Sequence, residues 1–256
     1  LLEHLQRGVD WDGCGVLQLA FNAKEAERQA QLATAFAPDL VHLLDQPLAQ
    51  ARAGIALEHG GLFFPEGGWV HPPALCHWQA SSANIQWLPH RDVLELRKVD
   101  DQWQAWGGDD LLASATVVIL AGAAEIKRFP QSAELPLKRI RGQITRLAQT
   151  AQSQSLTTVV CADGYVAPAR LGEHTLGASF DFKSDDLTPT LTEHLGNLAL
   201  LEEISPDLAT RLQARELDPQ QLEGRAAFRC TSPDYLPIVG PVAEPAAFVD
   251  AFAVLS

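Results

Sequence analysis

The chain has 256 residues, 46% of them hydrophobic, enough for one large core or two smaller ones. No run of about 18 apolar residues occurs, so hydropathy gives no membrane span, and no basic-then-apolar secretory signal opens the chain. A net charge of −13 excludes a broad basic face for nucleic acid; such a substrate would need a local basic patch or a partner domain.

Taken in order, Gly15 to Phe21 alternates like a strand, and Asn22 with Glu25 three residues on forms a capping box for a helix to about Phe36, before Pro38. A second helix is predicted from Pro47 to Gly54, with proline in its first turn and glycine past its end. Leu62 to Pro65 reads as a strand, and Pro72 and Pro73 open a helix through Trp78. The stretches NIQWL, VLELRKV and WQAW, between Asn84 and Trp106, suggest an antiparallel meander. Ala115 to Ala121 is nearly continuous apolar sequence, the pattern of a strand buried on both faces of a parallel sheet.

Lys138 to Leu147 reads as a long strand with Gly142 inside it. Val159 to Cys161, Tyr165 to Ala169 and Thr175 to Phe180 follow as strands, with Asp163-Gly164 as a hairpin turn. Thr188 and Pro189 are expected to open a helix with Leu191, Leu195 and Leu198 on one face, and Ser205-Pro206 opens another. Gly224 to Pro241 reads as a strand, a polar turn and a proline-bounded apolar strand. Cys14, Cys76, Cys161 and Cys230 are scattered without a CxxC, which reads as free thiols in a reducing cytoplasm. The eight His show no HxH or HExxH spacing, so no metal site is expected.

Four contiguous pieces carry a resemblance: ATVVILAGA (Ala115 to Ala123), LKRIRGQ (Leu137 to Gln143), DGYVAPAR with HTLGASFDF (Asp163 to Phe182), and FRCTSPDYLPIVGP (Phe228 to Pro241). In order and spacing they resemble the D-amino-acid-oxidase and glycine-oxidase superfamily of FAD enzymes. The pieces GCGVLQLAFN, GGLFFPEGGWVHPPALC and GRAAFRCTSPDYLPIVGP are similar to the oxidoreductase half of the bifunctional tRNA 5-methylaminomethyl-2-thiouridine biosynthesis family. The resemblance implies an α+β fold, glycine-oxidase-like, in which a remnant of an FAD-binding domain is interleaved with an antiparallel-sheet substrate domain. Residues 1–70 and 131–224 would form the substrate domain, and 71–130 and 225–256 the FAD-binding part. The family's GxGxxG unit would precede Leu1, and its C-terminal glycine-rich turn and helix would follow Ser256.

The activity implied is FAD-dependent oxidation of the carboxymethylaminomethyl group on the wobble uridine of tRNA, leaving an aminomethyl group that a fused methyltransferase domain then methylates. An oxidase of free glycine or sarcosine, and a non-catalytic domain retaining the fold, stay open beside it. No side chain is assigned a catalytic role, since the flavin would perform the redox step. By position, Arg229 matches the family's carboxylate-binding arginine, whose planar fork suits a carboxylate. Tyr165 matches a tyrosine lining the pocket, and Gln143 could bond a flavin or substrate edge. Ala121, Gly122, Arg141, Gly142, Asp234, Leu236 and Pro237 are expected beside the cofactor. For Arg141 the residues alone equally allow an exposed position on a β-bulge. Trp69 and His71 lie in a glycine-rich turn and receive no role. Lys138, Arg139, Arg141 and Arg146 form the one dense basic cluster, which strand alternation would split between two faces.

Overall fold

The computed structural model describes residues 4–37 and 39–242, so Pro38 and 243–256, the end of the expected 225–256 segment, lie outside the described residues. The chain divides into two compact units, Leu1–Ile85 with Arg141–Ala227, and Gln86–Ile140 with Phe228–Ser256.

Unit 1 contains β1 (Trp11–Asp12), β2 (Val16–Leu19), α1 (Ala23–Ala35), β3 (His42–Leu44), α2 (Gln46–Ala53), β4 (Gly61–Phe64), β5 (Trp69–Val70) and α3 (Pro72–Ala80). Residues 71–85 stay in this unit because β5 pairs with β1, His71 N–H donates to Asp10 O at 2.7 Å, and the ring of Trp78 stacks on His4 at 5.4 Å. After the excursion through unit 2 come β9 (Lys138–Ala148, in unit 1 from Arg141 on), β10 (Val159–Cys161), β11 (Tyr165–Val166), β12 (Glu173–Gly177), α4 (Leu191–Ile204), α5 (Pro206–Arg211) and β13 (Glu223–Thr231, in unit 1 as far as Ala227). The main sheet has eight strands in the order β13-β9-β12-β11-β10-β2-β4-β3. Aligned partners across it are Thr145, Leu176, Val166, Val160, Leu17 and Phe63. Cross-strand partners share a face, and these belong to the core side, where Leu147, Leu201, Ile204 and Leu208 join them in one buried cluster.

The caps follow the sequence reading at several points. Asn22 accepts from Glu25 N–H, Asp45 caps α2 before Pro47, Gly54 ends α2 at φ 74°, and Ser205 caps α5. α4 departs from it. Its cap is Thr190, which accepts from Glu193 N–H, while Glu193 reaches back to the Thr190 hydroxyl at 2.8 Å. That reciprocal box lies two residues past the expected Thr188. The buried face is His194, Asn197, Leu201 and Ile204, whereas Leu191 and Leu195 are exposed. Polar groups on β9 meet this helix and select its polar residues: Thr145 Oγ1 lies 2.9 Å from His194 Nδ1 and accepts from Asn197 Nδ2 at 3.0 Å.

Unit 2 holds β6 (Glu95–Val99), β7 (Gln102–Gly107) and β8 (Asp110–Ala115), a three-stranded antiparallel meander. Its core joins Leu96, Ile126 and Phe129 with Trp103, Val118 and Leu120. The meander is shifted from the expected one: NIQWL is not a strand, its Ile85, Trp87 and Leu88 being exposed, and DLLASA supplies the third strand. The expected buried strand at 115–121 is corrected too. Residues 117–121 are unassigned, Val117 is 70% and Ile119 85% exposed, and Val118 and Leu120 pack inward. None of their backbone groups is hydrogen-bonded among the described residues. A strand exists by pairing, and here no neighbouring strand lies on either edge. The expected apolar strand after Pro237 is likewise unassigned and exposed.

Two outcomes follow. A Cβ added at Gly54 would meet Ser155 O at 1.9 Å, in a left-handed conformation. Gly54→Ala in the full-length protein should lower the urea midpoint by the equivalent of at least about 1 kcal/mol; an unchanged midpoint contradicts the close approach. His174 is fully buried, Nδ1 2.9 Å from Ala167 O and Nε2 2.9 Å from Ser153 Oγ. A carbonyl only accepts, so Nδ1 carries the proton of a neutral ring. Burial pushes the His174 pKa down, opposed by the Ala167 hydrogen bond. The unfolded chain therefore takes up a proton first, and stability falls as pH drops below about 6.5. Urea midpoints at about pH 7.5 and about pH 5.5 check this; a higher midpoint at the lower pH contradicts it.

Candidate functional site

Strand alternation sorts the candidate residues of unit 1 onto opposite faces of its sheet. Tyr165 stands opposite Gly177 on β12, and Gly177 opposite Ile144 on β9, so these three share the face away from the core. Between Tyr165 and Ile144 the middle strand offers no side chain. Gly177 and Gly164 are confined there: a Cβ at Gly177 would lie 3.0 Å from Ile144 Cγ2, and one at Gly164 2.7 Å from Gly177 O. Gly142 shares this face two residues from Ile144, and its own Cβ would lie 2.9 Å from Ser179 O. The result is a floor of backbone beside the Tyr165 phenol.

Gln143 and Arg141 point the other way, which corrects two expectations. Gln143 is fully buried, its Nε2 donating to Thr190 O at 3.1 Å and its Oε1 accepting from Thr190 N at 2.7 Å. Its amide holds the start of α4 and lies on the face opposite Tyr165, so it does not join that residue as a substrate contact. Arg141 is 2% exposed, neither on an exposed bulge nor turned toward a cofactor. Nε donates to Asp186 O, Nη2 to Thr188 O at 2.8 Å, and Nη1 to the Glu193 carboxylate. Burial pushes the Glu193 pKa up, but hydrogen bonds from Arg141, Ser179 and Thr190 outweigh it and the net shift is downward.

Two other members of the basic cluster are also engaged. Arg139 lies 3.4 Å from Glu125 and over the Phe228 ring at 5.2 Å, and Arg146 pairs with Glu173 and Glu223. Three acids spread along these arginines leave no continuous basic stripe for phosphates.

Unit 2 carries five of the seven residues expected beside the cofactor, Arg141 and Gly142 lying in unit 1. Ala121 and Gly122 end the unpaired extended segment and help line a cavity of about 440 Å³, with Leu96, Val118 and Phe129 among its walls. Arg229 is an exposed position on β13. Asp234 shapes the turn after that strand, accepting from Ser232 Oγ at 2.9 Å and from Leu236 N at 3.1 Å. Those bonds hold its pKa down. Leu236 and Pro237 follow on an exposed stretch. A flavin dinucleotide needs an apolar surface for its rings and backbone N–H groups for its pyrophosphate. The apolar cavity lined by the extended 118–122 segment suits the first; no GxGxxG, the usual turn for the second, occurs in the sequence.

A family model described as FAD-dependent oxidoreductase (DAO) matches residues 1–252. The chain belongs to the FAD-dependent oxidoreductase family. This member is 80% identical over 254 residues to the tRNA 5-methylaminomethyl-2-thiouridine biosynthesis bifunctional protein MnmC of Pseudomonas fluorescens Pf-5, covering 99% of the chain and 39% of that protein. It is 72% identical to the protein of the same name from strain Pf0-1, covering 100% of the chain and 39% of that protein. The chain thus spans about two fifths of the length of these relatives. Among solved structures, glycine oxidase from Bacillus cereus superposes with a TM-score of 0.75 at 16% identity, over 92% of this chain and 66% of that one. Iminodiacetate oxidase from Chelativorans sp. BNC1 gives 0.68 at 22% identity, over 90% and 63%. The FAD-dependent oxidoreductase fold is therefore that of glycine oxidase and its neighbours.

The Arg141–Glu193 pair sets a checkable energy. Glu193→Leu strands a buried guanidinium and removes the acceptor for Ser179 and Thr190. It should destabilise the full-length protein by about 3 kcal/mol, the low end for a broken buried pair because Glu193 keeps some exposure. A loss under about 1 kcal/mol in denaturant titration would mean the pair behaves as a surface one.

Proposed function

We propose that this chain is the oxidoreductase part of a bifunctional enzyme that acts on the carboxymethylaminomethyl group of the tRNA wobble uridine. The observation carrying this reading is 80% identity, over nearly the whole chain, to a protein named for that pathway. The substrate's secondary amine carries a CH₂–COO⁻ arm. Loss of a hydride from that CH₂ gives an iminium, which is the imine once the nitrogen proton passes to water, and water cleaves it to the aminomethyl uridine and a two-carbon aldehyde acid. Bound FAD supplies the two-electron hydride acceptor.

The work of this chain is to position the substrate. Arg229 offers a planar, bidentate fork for a carboxylate, and Tyr165 presents its phenol O–H as a donor on the open sheet face of unit 1. Ala121, Gly122, Gly142, Asp234, Leu236 and Pro237 shape the cofactor side. Gly142 has support from its place on the Tyr165 face, and Ala121 and Gly122 from their place in the lining of the unit 2 cavity. A fused methyltransferase in the remaining length of the full protein consumes the product amine, and the enzyme works in the cytoplasm. No helix among the described residues is long and apolar enough to cross a membrane.

The fold shared with glycine oxidase favours a second reading, an oxidase of a free amino acid. Flavin-loaded full-length protein given undermodified tRNA and, separately, glycine distinguishes them. Flavin reduction by the tRNA is expected; reduction by glycine alone overturns the first reading. Arg229→Leu should lower kcat/KM by about 100-fold, equivalent to about 2.7 kcal/mol of lost charge-assisted bonding, and Tyr165→Phe by about 10-fold. Rates within a factor of about two of the parent would remove both residues from the clamp.

A further inference from the structure

Unit 1 contains a second group of unsatisfied donors that plays no part in the proposed clamp. Trp69 and His71 lie at i and i+2 on the β5 edge, where His71 N–H extends the β1–β5 ladder by donating to Asp10 O at 2.7 Å. Their side chains therefore leave the ribbon on one face, with Cα atoms about 6.6 Å apart. Trp69 Nε1 and His71 Nδ1 are both shielded from solvent and neither makes a hydrogen bond. His71 occupies the N-cap of α3, yet its side chain does not cap the helix. The ribbon is fixed in place: a Cβ at the preceding Gly68 would meet Asp12 O at 2.0 Å.

Arg170 reaches this corner from the turn between β11 and β12. Its Nε donates to Val9 O at 2.6 Å, and its two Nη atoms make no hydrogen bond among the described residues. The neighbouring carboxylates are engaged: Asp10 accepts from Gln6 N, Asp12 pairs with Arg7, and Glu173 pairs with Arg146. Burial lowers the His71 pKa, and the positive charge of Arg170 lowers it further against Asp10. The ring is therefore neutral near pH 7, and the positive charge of the corner resides on Arg170.

A buried indole N–H costs free energy until an acceptor meets it, and the Nη atoms of the half-buried Arg170 offer further donors beside it. We infer that Trp69, His71 and Arg170 form an oxyanion-binding site in unit 1. An indole N–H and guanidinium N–H groups only donate, and Arg170 makes no ion pair among the described residues while the nearby Asp10 carboxylate accepts from Gln6 N, so the ligand is an acceptor bearing negative charge: a carboxylate or a phosphate. In an acidic enzyme acting on tRNA, the two sources are the arm of the modified base and a backbone phosphate. The site itself rests on this geometry and not on the tRNA reading.

The test uses the full-length protein with inorganic phosphate and acetate as probes. The indole ¹H–¹⁵N signal of Trp69, assigned by its absence in Trp69→Phe, is followed while each anion is titrated. A saturable shift is expected with at least one. Tighter binding of phosphate assigns the polynucleotide backbone, and tighter binding of acetate assigns the substrate arm. Arg170→Gln should weaken the preferred anion at least about 10-fold, the loss of one charged hydrogen bond. Arg170→Lys, which keeps the charge without the fork, should fall between, and serves if the Gln variant does not fold. A Trp69 signal unmoved by either anion, as for a corner filled by a buried water, overturns the site. So does an affinity unchanged in both Arg170 variants.

Discussion

A β-strand can show a ligand only every second side chain, and that constraint governs what this protein can do with its longest strand. β9 runs for 11 residues through the basic stretch of Lys138, Arg139, Arg141 and Arg146. Arg141, Gln143, Thr145 and Leu147 go to the core side; Gly142, Ile144 and Arg146 go to the other. A one-residue slip would exchange the two sets. Arg141 and Gln143 prevent it by holding the segment that leads into α4, through Thr188, Thr190 and Glu193. The polar core is therefore the register lock for the sheet whose opposite face carries Tyr165.

The lock explains why the core contains groups that look costly. A buried ion pair contributes little net stability against an apolar replacement, but it fixes one geometry and becomes expensive to break. Here the geometry matters because Tyr165 is positioned through β12, which is itself paired to β9 by five residues in register. His194 and Asn197 extend the same network from the helix side, and Gly224 keeps β13 close to it: a Cβ there would lie 2.8 Å from His194 Cε1. The core side is polar and closed, whereas the opposite face carries Gly142, Ile144, Gly177 and the Tyr165 phenol.

Much of the architecture was legible in sequence where the signal was local. The Asn22–Glu25 box, the Gly54 stop and the Ser205-Pro206 start each involve groups a few residues apart, so neighbouring identities suffice. The facing of β9 was not legible. Ile140 and Ile144 mark one parity as apolar, yet in unit 1 the core receives Gln143 and Thr145, because the helix packed there brings His194 and Asn197. Partners some fifty residues away decide the matter. The same limit applies at 115–121, whose composition suits a buried strand but whose pairing requires neighbours absent among the described residues. Arg229 and Tyr165 were found only through motif likeness, and Arg170 was passed over because nothing near it in sequence announces an empty guanidinium.

The central claim is that the sheet face of unit 1 opposite Gln143, where the Tyr165 phenol stands beside Gly177, receives the ligand carboxylate. A crystal structure of the FAD-loaded full-length protein with a carboxylate-bearing amine analogue measures this directly. The expected result is the carboxylate over the Gly177 floor, within about 3 Å of the Tyr165 hydroxyl. A carboxylate bound on the Gln143 side of the sheet would contradict it.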